Sequence, residues 1–493
     1  MAMKVEFKSI VGEDSVTDQP EILEAYSKDH SFVAPRKPSL VVRPSSSTHI
    51  ERLVSLANRR GYTLVPVSSG SPRFRGDTVP SVDEAIIVDL SKMNRILWVN
   101  RRNRVAVIEP GVTFGDLEDA LEAQGLRGMM PLLPRNNKSV VGAFLEREPF
   151  TIPKYAWDLG DPVASSEMIL GDGYRMRTGG GAGPAPTLEG QRKVGGAHKL
   201  PMSPFTMDTR RIVQGSQGSM AICTWLSLRC ELLPESEKVF FAATDDLESI
   251  TKAAYRFLYL RLTDEQYILN NLSFACLIEK DPGRIEQISR RLPQWVMVAS
   301  IGGYGTLADE QFRYKEADLQ EEARRIGIPL VDEVGGVKEG AYRETVVRKV
   351  SEEPYWKIRY KGDCREIFFL TSLSRTPEFI AVARDMAEKS GFDAASIGVY
   401  VQQVLQGTAC HCEFDLFVGE RDAAQIEEFY TSLSKRISEL GGYFSRPYGI
   451  WSDIVYPHCE TFVKYARGLK KIFDPNLIMN PEKICFKGMA HES

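Results

Sequence analysis

The sequence predicts an α+β protein in which an antiparallel sheet covered by helices follows a first domain of mixed strands and helices. The chain has 493 residues, which is enough for two or three domains, each with its own core. Short apolar runs alternate with amphipathic segments over residues 1–235. From about 236 to 440, strand-like runs such as "WVMVASIGGY" alternate with long helical patterns. That order is typical of helices packed on one antiparallel sheet.

Strands and helices also alternate within the first part. "PSLVVRP", "YTLVPV", "EAIIVDLSKMNRI" and "RVAVIEPGV" predict strands. "THIERLVSLANRRG" predicts a helix with a Thr48–Glu51 capping box and Gly61 as its C-cap. Thr113 opens a second predicted helix with acidic residues in its first turn.

The segments after residue 178 also carry secondary-structure signals. The Gly- and Pro-rich stretch from Gly179 to about Asp208 predicts an irregular excursion. "ASIGVYVQQVLQG" and "HCEFDLFVG" predict strands, and "DAAQIEEFYTSLSKRISELGG" predicts a helix. The tail predicts an amphipathic helix that stops at Asp474-Pro475.

Composition excludes several classes of protein. The net charge is −4 and no dense Lys/Arg block occurs, so a nucleic-acid partner is not expected. No run approaches the ~18 apolar residues of a membrane-spanning helix. The N-terminal "MAMKVEFKSI" lacks the apolar core of a secretory signal, and cysteines are sparse. These observations favour the cytoplasm.

Eight cysteines are scattered without a CxxC pair, which argues against an intrinsic zinc site or iron–sulfur cluster. Cys410 and Cys412 flank His411 in a predicted strand, so both thiols point to the same face. They are candidate metal ligands or ordinary packed cysteines, and we predict no metal.

The loop "SSGSPRFRGD", residues 68–77, lies between two predicted strands. Its Ser and Gly residues leave backbone N–H groups free to bind a phosphate, and Arg73 and Arg75 add charged donors. Taken alone, the composition favours a solvated loop.

The neighbouring motifs favour the phosphate. "VVRPSSSTHIERLVSLANRRGYTLVPVSSG", "IIVDLSKMNRIL", "VIEPGVTFGDLEDALEAQGL", "SVVGAF", "GDG", "GSQGSMAICT" and "FDPNLIMNPEKI" follow in order. This ordered set resembles the FAD-binding domain of the vanillyl-alcohol oxidase/p-cresol methylhydroxylase (PCMH-type) flavoprotein family. The resemblance implies a two-lobed FAD-binding domain over 1–235, a cap domain over 236–440 and a C-terminal return over 441–493.

The resemblance also implies which residues bind FAD. The pyrophosphate cradle would be Ser68, Ser69, Gly70, Ser71 and Pro72, with Gly76 and Asp77 close by. The other implied contacts are Pro110, Gly111, Lys138, Ser139, Val140, Gly142, Gly218, Ile222, Asn480 and Lys483. Lys138 and Lys483 are candidate positive groups beside the flavin or, alternatively, solvated surface lysines.

The chain departs from the family pattern at three places. The cradle loop has no His, which excludes attachment of the flavin to a His there. Glu482 stands where the closing motif usually has Gly, so a different backbone is expected there. The His-x-Gly-Asp-Gly-Asn-x-His motif of the D-lactate and glycolate dehydrogenase branch is absent, which argues against metal-assisted chemistry.

The expected function is that of an FAD-dependent dehydrogenase or oxidase. Hydride would pass from a small hydroxy acid, alcohol or alkylphenol to flavin N5, and the electrons would pass on to an iron–sulfur, cytochrome or quinone partner. Arg446 and Tyr448, in "GGYFSRPYG", would orient the substrate, and His411 would take its hydroxyl proton. Alternatively, Arg446 is a structural arginine in a turn and His411 is a histidine packed in the core. At the level of the whole chain, the alternative is a non-catalytic flavin-holding subunit of a redox complex. A homo- or hetero-oligomer is expected.

Overall fold

A computed structural model describes residues 2–183, 185, 187–193, 200–202, 208–419 and 423–489. The first part contains two sheets. The first sheet has the strands Val16–Thr17, Leu40–Val42, Ile86–Asp89 and Leu64–Val67 in that spatial order, and its last three strands are parallel. The second sheet is antiparallel, with the order Ile96–Asn100, Val105–Ile108, Ala221–Arg229, Val163–Leu170 and Arg175–Arg177. A two-stranded ribbon pairs Leu126–Arg127 with Glu231–Leu232.

Helices cover these two sheets. They are Ala2–Val11, Pro20–Ser27, Ser47–Arg60, Phe114–Glu122, Val140–Leu145 and Leu188–Lys193. Ser47–Arg60 places Ile50, Leu53, Val54 and Ala57 in the core beneath the first sheet. An irregular excursion was predicted from Gly179 to about Asp208. Within the described residues of that stretch, Leu188–Lys193 forms a short α-helix.

The predicted caps are partly confirmed. Gly61 ends its helix at φ 73°, a left-handed conformation that favours glycine. Thr113 and Asp116 form a capping box at the start of the second helix. The Thr48–Glu51 box is wrong, because the helix begins earlier and the Ser46 side chain accepts from the His49 N–H.

The second part is built on a six-stranded antiparallel sheet, here called the cap sheet. Its spatial order is Ser236–Thr244, Trp295–Gly303, Gln266–Asn270, Ile397–Val404, Ala409–Val418 and Asp363–Thr371. A small ribbon, Glu333–Val334 with Val337–Lys338, lies beside it. The covering helices are Leu247–Tyr259, Asn271–Ile278, Pro282–Arg291, Ala308–Ile326, Glu339–Thr345, Thr376–Ser390 and Ala423–Glu439. Cys410 and Cys412 are buried in the apolar core on one face of this sheet, as ordinary packed cysteines are.

The C-terminal segment returns to the first part of the chain. Its helices are Ile450–Val455 and Glu460–Phe473, and the second ends where Asp474-Pro475 predicted. The Leu64 N–H donates to Ile478 O at 2.8 Å, and the Asn480 N–H donates to Leu64 O at 2.8 Å. The strand before the Ser/Gly loop thus gains an extra neighbour. We propose the division 1–235, 236–440 and 441–493 on this basis.

Candidate active site

A deep cleft of about 1440 Å³, its mouth included, lies between the first part of the chain and the cap sheet. The predicted cofactor residues among those lining it are Ser68, Ser69, Asp77, Pro110, Lys138, Gly142, Gly218 and Ile222. Gly70, Ser71, Pro72, Gly76, Gly111, Ser139, Val140 and Asn480 are not part of its lining. Ser139 lies directly behind it, where its N–H donates to Ser69 Oγ at 3.1 Å and its Oγ donates to Pro110 O at 2.6 Å.

The loop of residues 68–77 has features that suit a phosphate. Among the described residues, the backbone N–H of Ser69, which lines the cleft, has no hydrogen-bond acceptor. Gly142 lies in the first turn of the Val140–Leu145 helix beside the loop, and a Cβ there would approach Ser68 Oγ to 2.9 Å. Thr78 adds to the cleft wall a buried hydroxyl that has no hydrogen-bond partner in the part of the chain that the structure describes. The residues present therefore fit the pyrophosphate and ribityl chain of a dinucleotide.

The C-terminal motif of residues 480–483 hydrogen-bonds to the same loop on the side away from the cleft. Lys483 Nζ donates to Gly76 O and Val79 O, both at 2.8 Å, so it braces the loop and is not a free charge in the cleft. Burial lowers the pKa of Lys483 to about 8. Asn480 donates to Asp77 O at 2.8 Å. Glu482 has φ 62°, in the left-handed region that favours glycine.

Two cations and two carboxylates form a closed square in the cleft. Arg75 Nη1 donates to Glu146 Oε2 and to Glu148 Oε1, both at 2.6 Å. Lys138 Nζ lies 3.0 Å from each of the same carboxylates. The square balances its own charge, so neither Arg75 nor Lys138 is an uncommitted cation. Arg73 is also committed, since it donates to Ala25 O outside the cleft.

Arg446 differs from these cations. It is 3% exposed, and among the described residues its guanidinium makes no ion pair or hydrogen bond, with Nη1 fully buried. Its charged group lies 4.1 Å over the ring of Phe368, and Arg75 lies 5.0 Å from the same ring. Burial, aided by the charge of Arg75, lowers the pKa of Arg446 to about 10. A buried guanidinium without a partner is costly, so this position is built for an anion.

His411 and Tyr448 flank this position without lining the main cleft. His411 lines a smaller cavity of about 510 Å³ together with Arg446 and Glu148. Tyr448 lines a second chamber of about 1220 Å³, which shares Arg75 and Glu366 with the cleft. Arg446 and His411 therefore share one cavity, and the rings of Tyr448 and Phe368 lie with their centroids 6.1 Å apart.

His411 is held from its own strand. Its Nε2 lies 2.9 Å from Glu413 Oε2. Among the described residues, its Nδ1 has no hydrogen-bond partner. Burial lowers the pKa of His411 from its usual 6.5, against the opposing effect of Glu413. At neutral pH the imidazole is therefore uncharged, and one nitrogen is free to accept a proton.

No local pattern in the sequence marked the acids of the square or the charged group behind His411. On the cap sheet, Glu366 pairs with Asp415 and Phe368 with Glu413, which brings three carboxylates within 4.8 Å of one another. Lys357 Nζ lies among them. The alternation His411–Glu413–Asp415 was a signal that these side chains share one face of a strand. Nothing local in the sequence pointed to Lys357.

Comparisons with known proteins agree with this geometry. Two family models match the chain, "FAD binding domain" over residues 38–179 and "FAD linked oxidases, C-terminal domain" over residues 370–484. An uncharacterized FAD-linked oxidoreductase of Mycobacterium tuberculosis is 24% identical over 97% of this chain and 98% of its own length. The glycolate oxidase subunit GlcD of Bacillus subtilis is 22% identical over 98% and 97%. The solved structure of p-cresol methylhydroxylase with substrate bound superimposes with a TM-score of 0.82 at 17% identity, over 100% of this chain and 97% of the other.

The cleft, the fold and these matches define an FAD-dependent oxidoreductase. The two family models together match more than half of the 493 residues. The chain has the fold of p-cresol methylhydroxylase, with the two-lobed FAD-binding domain and the helix-covered cap expected from its sequence.

Replacing Gly70 by Glu is expected to abolish FAD retention. A Cβ at Gly70 would lie 2.7 Å from Asn137 Nδ2, and Asn137 itself holds the loop by donating to Ser71 O at 2.5 Å. The variant would displace Asn137 and add a negative charge beside the pyrophosphate. The ratio of flavin to protein absorbance measures the loss. Gly468→Glu is the matched control, because a Cβ there has no neighbour within 4 Å. Full occupancy in Gly70→Glu would contradict the cradle.

Proposed function

We propose that this enzyme is a dehydrogenase for a small organic hydroxy compound that carries an anionic group, such as a hydroxy acid or a phenol. The buried, unpaired guanidinium of Arg446 is the observation that supports it most. Bound FAD would supply the hydride acceptor. The protein would supply a positive charge, a general base and apolar side chains that exclude water from the reacting carbon.

Each role has a candidate residue. Arg446 would hold the anionic group, because a planar guanidinium binds carboxylate or phenolate through two parallel hydrogen bonds. His411 Nδ1 would accept the hydroxyl proton, since it is a neutral base in the adjoining cavity. Phe368 would exclude water from the space between Arg446 and His411. Tyr448, on the far side of Phe368, would bound the second chamber.

Electrons would then leave to a separate acceptor. All eight cysteines are free, and all but Cys459 are buried. We propose a cytochrome, a quinone or an iron–sulfur partner subunit as that acceptor, and the subunit named in the Bacillus subtilis relative is consistent with an assembly. No helix among the described residues has both the length and the apolarity to cross a bilayer.

Anaerobic bleaching tests this function. The purified holoenzyme should lose its yellow absorbance when mixed, without oxygen, with a substrate from a panel of hydroxy acids, alcohols and alkylphenols. Compounds that bear an anionic group should bleach fastest. If no compound bleaches the flavin while a redox partner does, the chain is instead a non-catalytic flavin-holding subunit. Adding cytochrome c or a quinone analogue after bleaching then identifies the acceptor class.

A further inference from the structure

Lys357 is a buried cation that the proposed chemistry does not use directly. It lies in a single helical turn, Trp356–Ile358, beneath the cap sheet. It is 5% exposed, and its Nζ lies 2.7 Å from Glu366 and 3.1 Å from Asp415. It also contacts Glu413 Oε1. Such a dense group of carboxylates requires a positive charge, and Lys357 supplies it.

Glu413 links this cation to His411. One of its carboxylate oxygens, Oε1, accepts from Lys357, and the other, Oε2, lies against His411 Nε2. Burial alone would raise the pKa of Glu413, but the ammonium of Lys357 and the hydrogen bond of His411 together hold it well below its usual value. An ionised carboxylate only accepts hydrogen bonds, so His411 must carry its proton on Nε2.

We propose that Lys357 is a positioning residue, whose ammonium keeps Glu413 ionised and thereby leaves His411 Nδ1 as the basic nitrogen. The proposal rests on the proposed function, because Nδ1 is the atom expected to accept the substrate proton.

The effect of removing the ammonium follows from the same contacts. Three buried carboxylates within 4.8 Å of one another cannot all stay ionised without a cation. Burial raises the pKa of Asp415 to about 8, so this group already holds a proton. The next proton would fall on Glu413, because the guanidinium of Arg75 lies 3.6 Å from Glu366 Oε2 and keeps that carboxylate ionised. A protonated Glu413 donates to Nε2, the imidazole proton moves to Nδ1, and the base is lost.

Other charged and titratable groups face His411 from the surrounding elements. Arg446 approaches from the C-terminal segment and Glu148 shares the small cavity. The ring of Tyr400, on the neighbouring strand, lies 5.7 Å from the imidazole, and its hydroxyl donates to Gln402 at 3.0 Å. None of these groups contacts Nε2, so the proton position on His411 depends on Glu413 and, through it, on Lys357.

The test is the Lys357→Met holoenzyme with ¹⁵N-labelled histidine, read by NMR. The chain has six His, so the His411 signals can be assigned by comparison with His411→Gln. The wild type should show the proton on Nε2. Lys357→Met should show it on Nδ1 at neutral pH and return it to Nε2 as the pH rises and Glu413 ionises. Where substrate is known, kcat should fall about 10²–10⁴-fold with little change in KM, and the acid limb of the pH profile should move upward.

Two further variants keep the outcome clear. Asp415→Asn contacts the same ammonium, does not touch His411 and replaces a group already neutral, so the tautomer and the pH profile should stay as in the wild type. If Lys357→Met fails to fold, Lys357→Gln replaces the ammonium with a neutral amide of similar length and tests the same loss of charge. An Nε2 proton that persists at neutral pH in either Lys357 variant overturns the proposal. A tautomer change in a protein that no substrate bleaches would refute the proposed function and leave the role of Lys357 intact.

Discussion

Arg446→Ala is expected to retain FAD and to lower kcat/KM by about 10²–10³-fold, the usual effect of deleting one charged donor from an active site. Arg446 is 3% exposed and has no protein partner among the described residues, so its removal breaks no ion pair that holds the fold. The loss should be largest for substrates with an anionic group. Anaerobic stopped-flow bleaching of the flavin measures it directly.

The matched control is Arg384→Ala. Arg384 lies over the ring of Trp295 in the cap, 5.5 Å from the ring centroid and outside the cleft. Its replacement also removes one Arg charge but does not touch the site, and bleaching should be unchanged. Arg446→Lys should recover only part of the rate, because a single ammonium cannot form the paired hydrogen bonds of a guanidinium. A colourless Arg446→Ala protein would show that Arg446 serves the cofactor instead.

His411→Gln is expected to lower kcat by about 10²–10⁴-fold, the range for loss of a general base. Because burial places the pKa of His411 below its usual 6.5, the wild-type rate should be constant through neutral pH. It should fall only as acid protonates the imidazole, below the range of an exposed His. The acid limb should disappear in His411→Gln.

His458→Gln is the control for this pH profile, since His458 is exposed in a short turn of the C-terminal segment. It should keep both the rate and the acid limb. An unchanged acid limb in His411→Gln would assign the titration to another group, such as the carboxylates of the Arg75–Lys138–Glu146–Glu148 square.

The fold could be predicted because local signals and the order of motifs agreed. The Ser68–Pro72 loop follows a strand that apolar alternation identifies, and the helices around it end at Gly61 and begin at Thr113 as their chemistry requires. The Thr48–Glu51 capping box, which was predicted but is not formed, shows the limit of local sequence signals. Ser46 and Thr48 are equally good caps in sequence, and only the packing of Ile50 and Leu53 decides where the helix begins.

Site residues could be predicted from the sequence only where they lie within a recognisable motif. Arg446 and His411 lie in such motifs, but the residues that contact them do not. The Arg75–Glu146 pair joins residues 71 positions apart, and Lys357 reaches Glu413 across 56. Charged residues of this kind look like solvated surface in a sequence. Their burial becomes visible only when the sheets bring them together. This explains why the sequence alone did not reveal that Lys138 binds carboxylates and Lys483 binds loop carbonyls.

The bracing of the cofactor loop by the closing motif has a consequence for biosynthesis. Asn480 and Lys483 bind loop residues 403 and 407 positions earlier, and Leu64 receives its outer neighbour from the same segment. A ribosome therefore makes the loop about 400 residues before the segment that supports it. A nascent polypeptide presents an unsupported cradle until residues 480–483 have been made, and stable binding of FAD is expected only after that point.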